Sequence, residues 1–192
     1  MRVLIFPFPR CMWGGHEGHP YPYLEEQLTR IHKAILVAQD LQSRNHQVEI
    51  LCTGGLFNKQ GISLAQTLAT DIIAIEPTLR KNILIGEMLS THTAESIRFS
   101  KDVLTDSQWD KVIAISTGGN PGHIDRIRIY MENICPGITL ETVASAECGS
   151  PEYRQKRARD EKIMMFLARI DRQARIFDFF ANRRRAQARL KP

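Results

Sequence analysis

Lys111-Val112-Ile113-Ala114-Ile115-Ser116-Thr117-Gly118-Gly119-Asn120-Pro121-Gly122-His123-Ile124-Asp125-Arg126 is the stretch whose reading decides the fold. The apolar run from Val112 to Ile115 reads as a buried strand. It breaks into Gly-Gly-Asn-Pro-Gly, residues that permit tight backbone turns. A segment of helical character follows at once and carries His123 and Arg126 in its first turns. Strand, glycine loop and helix start make an anion site, because backbone N–H groups and the positive helix end face one point. His123 and Arg126 are three apart and share a helix face. A phosphate or carboxylate held by Ser116, Thr117, Gly118, Gly119 and Asn120 would meet an imidazole and a guanidinium as well.

The same alternation extends in both directions from this unit. Residues 2–8 read as a first strand, and 10–23 as a loop rich in Gly, Pro, His and aromatic residues. Leu24, Leu28, Ile31, Ile35, Ala38 and Leu41 recur at helical spacing, which predicts a helix over 24–44. Val48 to Cys52 predict a second strand ending in Thr53-Gly54-Gly55. Residues 63–70 suggest a short helix, 72–75 a third strand and 82–86 a further short strand. A helix over 91–104, the strand at 112–115, a helix over 122–133 and a strand over 138–143 follow. From Ser150 onward the pattern is a long amphipathic helix or helix pair.

Strands alternating with helices predict an α/β fold, a Rossmann-like doubly wound and mainly parallel sheet with flanking helices and a long basic C-terminal helix. The ligand crevice of such a sheet lies outside the strand carboxyl ends. Residues 1–150 form the Rossmann-like α/β domain. Residues 151–192 form a basic helical extension packed on it.

Composition narrows the class. At 192 residues, with 43% hydrophobic and 24% charged residues, the chain fits one globular domain. No run approaches the roughly 20 apolar residues of a membrane span. Pro7, Pro9 and Arg10 end the N-terminal apolar run too early for a signal peptide. The expected location is the cytoplasm, where Cys11, Cys52, Cys135 and Cys148 stay reduced. No C-x-x-C pair is present, so zinc-knuckle and thioredoxin-like readings fall away. The net charge of +5 is uneven: residues 151–192 hold 13 Lys/Arg against 5 Asp/Glu, and residues 1–150 hold 13 against 16. A basic helix of this kind can dock a partner, an anionic membrane surface or nucleic acid. No base-reading motif accompanies it.

Set in order, these motifs resemble the YdcF/SanA/ElyC-like bacterial proteins. The likeness covers about residues 1–145. It rests on Arg30 with Ala34, Thr53-Gly54-Gly55, Ser90-x-x-Thr93-x-Glu95-Ser96, and Ser116-Thr117 followed by His123-x-x-Arg126. Ser96 stands where the family has Asn. The resemblance implies a Rossmann-like fold with a crevice for a nucleotide or adenosyl-methionine, and it is nearest the soluble YdcF-like branch.

The candidate acid/base residues are Glu95 and His123, since imidazole titrates near neutral pH and an acid beside an anion site suits proton transfer. The candidate ligand-binding residues are Arg30, Gly54, Gly55, Thr91, Thr93, Ser96, Ser116, Thr117, Gly118, Gly119, Asn120 and Arg126. The expected partner is an anionic small molecule, phosphorylated or nucleotide-like. The chemistry open to the site is group transfer or hydrolysis. A non-catalytic metabolite-binding or interaction module is the competing reading. Several motifs carry a structural alternative: Ser90, Thr91 or Thr93 as a helix cap with Glu95 in a capping box, and Arg126 in an ion pair. His16, Glu17 and His19 in the first loop lack convincing metal-ligand spacing, so no metal is assigned and the loop reads as a lid.

Overall fold

In the computed structural model of the chain, residues 1–9, 22–55, 61–119, 122–172, 174–176 and 178–179 are described. Five strands form one parallel sheet: β1 (Arg2–Pro7), β2 (Gln47–Thr53), β3 (Ile83–Glu87), β4 (Lys111–Thr117) and β5 (Leu140–Ser145). Their order is β3-β2-β1-β4-β5. The chain therefore winds outward from β1 in both directions. The switch point falls between β1 and β4, which pair from Val3–Lys111 to Pro7–Ile115.

Strand periodicity sorts the core into two layers, because successive side chains leave opposite faces of a sheet. Val3 and Ile5 of β1, with Ile113 and Ile115 of β4, face α1 (Pro22–Ser43) and α2 (Leu64–Ile75). Leu4 and Phe6, with Val112 and Ala114, face α3 (Thr93–Phe99), α4 (Lys101–Leu104) and α5 (His123–Ile134). Covered on both sides, β1 and β4 are continuous apolar runs, as parallel strands require. Burial pushes the Cys52 thiol of β2 up to about 12, so it stays a protonated core side chain.

Three elements differ from the sequence reading. Residues 72–75 are the last turn of α2, not a strand. Ile72 continues the buried stripe of Ala65, Leu68 and Ala69, and Glu76 caps the helix before a 3-10 turn over Pro77–Asn82. The helix expected over 91–104 is two helices joined at Ser100. The extension expected to pack on the domain through its apolar side begins as α6 (Pro151–Ile170), which buries Glu161 and Ala168 while the apolar Ile163, Phe166 and Ile170 are exposed. Both faces of the sheet are already covered, so the helix docks through polar and small residues instead. Residues 10–21 and 120–121 lie outside the described residues, and with them Cys11, His16, Glu17, His19 and Asn120.

Glycine is required where β2 ends. A Cβ on Gly55 would lie 2.4–2.5 Å from the backbone of Leu89, in the loop after β3. Gly55→Ala should therefore destabilise the fold by about 1–3 kcal/mol in urea denaturation. An unchanged midpoint would show that the two loops separate at little cost.

Candidate functional site

The centre of the site is a buried guanidinium at the switch point. Arg30, on α1, is 1% exposed. Its Nη1 donates to the Phe8 carbonyl after β1 at 2.9 Å. Nε and Nη2 donate to the Thr117 hydroxyl that ends β4, at 3.0 and 2.5 Å. One turn earlier Glu26, also 1% exposed, places Oε2 3.6 Å from Arg30 Nη2. A charge can be buried this way because it is both paired and hydrogen-bonded. The chain spends Arg30 on joining α1, β1 and β4, so this expected ligand donor lies behind the crevice wall.

His123 opens α5 and stands beside this clamp, 6% exposed. Its Nδ1 lies 2.6 Å from the Ser116 hydroxyl, and its Nε2 lies 3.0 Å from the Thr93 hydroxyl of α3. Phe8 meets the ring edge-on at 6.4 Å between centroids. Two hydroxyls, each able to donate or accept, leave both tautomers of the imidazole accommodated. Ser116, His123 and Thr93 thus form a relay from β4 to α3. The glycine loop between them is tight. Gly118 donates its N–H to the Ser145 carbonyl at 3.2 Å, and a Cβ on Gly122 would meet the Gly118 backbone at 2.5 Å.

On the β2–β3 side, Glu87 organises the backbone. Its Oε1 accepts from Gly54 N at 2.9 Å and from the Ser90 hydroxyl at 2.5 Å. Its Oε2 accepts from Leu89 N and Ser90 N at 2.9 and 2.8 Å. Ser96 joins through the Ser90 hydroxyl at 2.8 Å, and Gly55 N donates to the Ser90 carbonyl at 3.0 Å. The Gly54 and Gly55 amides, expected to cradle a ligand, are thus turned onto the protein's own loop.

The start of α3 is similarly self-contained. Its N-cap is His92, whose Nδ1 accepts from Glu95 N at 3.4 Å. Glu95 reaches back so that Oε2 accepts the Thr91 N–H at 2.7 Å and the Thr91 hydroxyl at 2.9 Å. This is a capping box shifted by one residue. It points the carboxylate of Glu95 along the helix end, while Thr93 of this segment reaches His123. His92 Nε2 lies 3.2 Å from Asp178 Oδ1, which also pairs with Arg98 through Oδ2 at 2.8 Å. His92, Glu95 and Asp178 converge closely enough to hold a cation. However, an Nδ1 that accepts a backbone N–H leaves the proton on Nε2, the atom a metal would need.

The fourth wall comes from α6, which no local motif foretold. Arg126 pairs with Glu161 through Nε–Oε2 at 3.0 Å and Nη2–Oε1 at 3.3 Å, a two-pronged contact. Arg157 lies between Glu161, at 3.4 Å, and Glu26, at 3.6 Å. The Tyr153 hydroxyl donates to Glu26 Oε1 at 3.0 Å. A chain of charges therefore runs Arg126–Glu161–Arg157–Glu26–Arg30. Beneath it opens a cavity of about 310 Å³ at the β4 carboxyl end. Thr117, Gly118, Gly119, Gly122 and His123 form its floor, and Tyr153, Arg154 and Arg157 its roof. Cys148 also lines it, with burial pushing its thiol up and away from nucleophilic use.

The tertiary structure thus brings Thr93, Ser116, Thr117, Gly118, Gly119 and His123 together. It diverts Arg30, Gly54, Gly55, Thr91, Glu95, Ser96 and Arg126 into contacts within the protein. Glu26 was detectable, since Glu and Arg at i,i+4 on one helix face are expected partners. Arg157 and Glu161 carry the same i,i+4 signal for each other, but their contacts with Glu26 and Arg126, like those of Tyr153 with Glu26 and Glu87 with Gly54, have no sequence-local signal.

Two measurements test this wiring. Arg30→Met should cost about 3–5 kcal/mol of stability, because it leaves Glu26 buried beside a lost cation. The double variant Glu26→Gln/Arg30→Met should recover part of that loss, and strict additivity of the two would disprove the coupling. Burial, the largest influence, holds the His92 imidazole below its ordinary value despite the opposing pull of Glu95 and Asp178. A folded-state value below the unfolded one means that acid favours unfolding as His92 in the unfolded chain takes up a proton. Stability should then fall as the pH drops below about 6.5, more in wild type than in His92→Asn, which keeps a capping side chain. Parallel pH profiles for the two proteins would refute it.

Comparison of the chain with protein-family models, with curated proteins and with solved structures finds no match.

Proposed function

We propose that this protein binds a phosphorylated or nucleotide-like small molecule in the crevice at the carboxyl ends of β4 and β5. The observation that carries the reading is the cavity of about 310 Å³ at the carboxyl ends of β4 and β5, on the β4 side of the sheet's switch point, between the Gly118–Gly119 loop and α6. Ligand sites of doubly wound sheets occupy this position, and ligand pockets start at about this volume.

The wall chemistry supports a ligand with an anionic group and hydroxyls. Arg154 and Arg157 supply guanidinium donors suited to phosphate, Arg154 from the exposed rim. The start of α5 adds its positive end. Asp125 tempers that end, accepting Gly122 N at 2.9 Å. Glu147, exposed on the rim after β5, is a carboxylate able to accept from ribose-type hydroxyls. Adenosyl-methionine, implied by the family resemblance, satisfies the hydroxyl part of this pattern but carries a positive sulfonium in place of phosphate.

His123 is the group positioned for proton transfer, in either group transfer or hydrolysis. It lines the cavity and lies within hydrogen-bond reach of Ser116 and Thr93. Glu95 is closed into the α3 turn and is the weaker candidate for that work.

Calorimetric titration and thermal shift with nucleoside mono- and diphosphates, sugar phosphates and adenosyl-methionine test the proposal. A phosphorylated ligand should raise the melting temperature by mass action. Arg154→Glu should weaken its binding at least about tenfold, the scale of one charge-assisted hydrogen bond. His123→Gln should retain binding while abolishing any turnover of that ligand. No shift with any phosphorylated compound, or binding indifferent to Arg154→Glu, would remove the anion reading of the crevice.

A further inference from the structure

The exposed side of α6 is independent of the crevice. Its inner side is committed through Tyr153, Arg157, Glu161 and Ala168. Opposite that side, Lys156, Arg159, Ile163, Phe166 and Ile170 succeed one another at three- and four-residue steps, the spacing of one helix face. All five are exposed, with Ile163 at 57% and both Phe166 and Ile170 at 64%. Lys162, Arg169 and Arg172 are exposed alongside, against a single exposed carboxylate on the helix, Glu152. Three large apolar side chains in a row, rimmed by cations, mark an interaction surface rather than ordinary scatter.

We infer that this face of α6 docks on an anionic lipid surface. The cations meet lipid headgroups, and Ile163, Phe166 and Ile170 enter the boundary between headgroups and acyl chains. Charge complementarity selects this occupant. In a twofold pairing with a second copy, Lys156 and Arg159 of one helix would approach Arg169 and Arg172 of the other, like against like. A nucleic acid would accept the cations but leave the three apolar side chains in water. Residues 1–150, with 13 Lys/Arg against 16 Asp/Glu, are repelled by the same surface, so the molecule is oriented with α6 down. No described helix is long and apolar enough to cross a membrane, so the contact is interfacial.

Co-sedimentation of the full chain with phosphatidylcholine vesicles, with and without phosphatidylserine, tests the inference. Binding is expected to the anionic vesicles and to fall with added salt. Lys156→Glu and Arg159→Glu should each lower the partition coefficient about fivefold or more. The triple change Ile163→Ser, Phe166→Ser, Ile170→Ser should lower it by more than about tenfold. These side chains are exposed, so an unchanged melting curve confirms that each variant is folded. Three results overturn the inference: equal affinity for neutral vesicles or none for either kind; a concentration-dependent dimer that the triple serine variant abolishes; and salt-sensitive binding to duplex DNA that the serine variant retains.

Discussion

The buried Arg30–Glu26 pair is the constraint on which the rest of the site depends. A guanidinium at 1% exposure is stable only if its donors are taken and its charge offset; here Phe8 and Thr117 accept its hydrogen bonds and Glu26 pairs with its charge at 3.6 Å. Phe8 and Thr117 lie at the ends of the two strands that flank the switch point. Satisfying one buried charge therefore fixes the separation of β1 and β4 where a doubly wound sheet opens its crevice. Such pairs add less net stability than their Coulomb attraction suggests, because desolvation opposes it. Their strength is geometric: few arrangements of these groups leave nothing unpaired.

From Glu26 the same requirement spreads outward. Its carboxylate also receives Tyr153 and approaches Arg157, and Arg157 approaches Glu161, which holds Arg126. Each charge is offset by the next, so α6 is drawn over the cavity by a polar network rather than an apolar seam. This explains how a helix with an exposed apolar ridge is docked firmly at all. It also makes the cavity wall nearly balanced in charge: Arg126 is neutralised by Glu161, and the α5 N-terminus is partly offset by Asp125. Under the proposed function, selectivity for an anion then rests chiefly on Arg154 and on the dipole of α5, with Arg157 shared between Glu26 and Glu161.

His123 links the two halves of the sheet. It begins the helix after β4 and touches Thr93 on the helix after β3, through residues thirty apart in sequence. With Ser116 at its other nitrogen, a proton gained or lost there is felt at both hydroxyls. The capping arrangement of His92, Thr91 and Glu95 supports this indirectly, since it sets the start of α3 and so the position of Thr93.

Much of the fold is legible in the sequence. The runs at 2–7 and 111–117 alternate with amphipathic helices, and Thr117-Gly118-Gly119 marks a strand-to-helix turn. These signals are local, so periodicity and glycine content suffice to read them as a parallel α/β sheet with its crevice at the strand ends. Local pattern failed where four apolar residues, 72–75, extended a helix already begun, because a short apolar run fits either structure until its neighbours are known. It also failed for the apolar stripe of α6, whose inward side was decided by Arg126 and Glu26, far away in the chain. The sequence alone named Ser116, Thr117, His123 and the glycines as neighbours, since they sit within one turn of each other. Only the tertiary structure could decide that Arg30 also donates to Phe8 and Thr117, that Arg126 meets Glu161, that Gly54 N serves Glu87 and that Gly55 N serves the Ser90 carbonyl. The physical reason is that a charge or amide takes whichever partner packing brings nearest, and that choice spans from 4 residues in Arg30–Glu26, through 35 in Arg126–Glu161, to 87 in Arg30–Thr117.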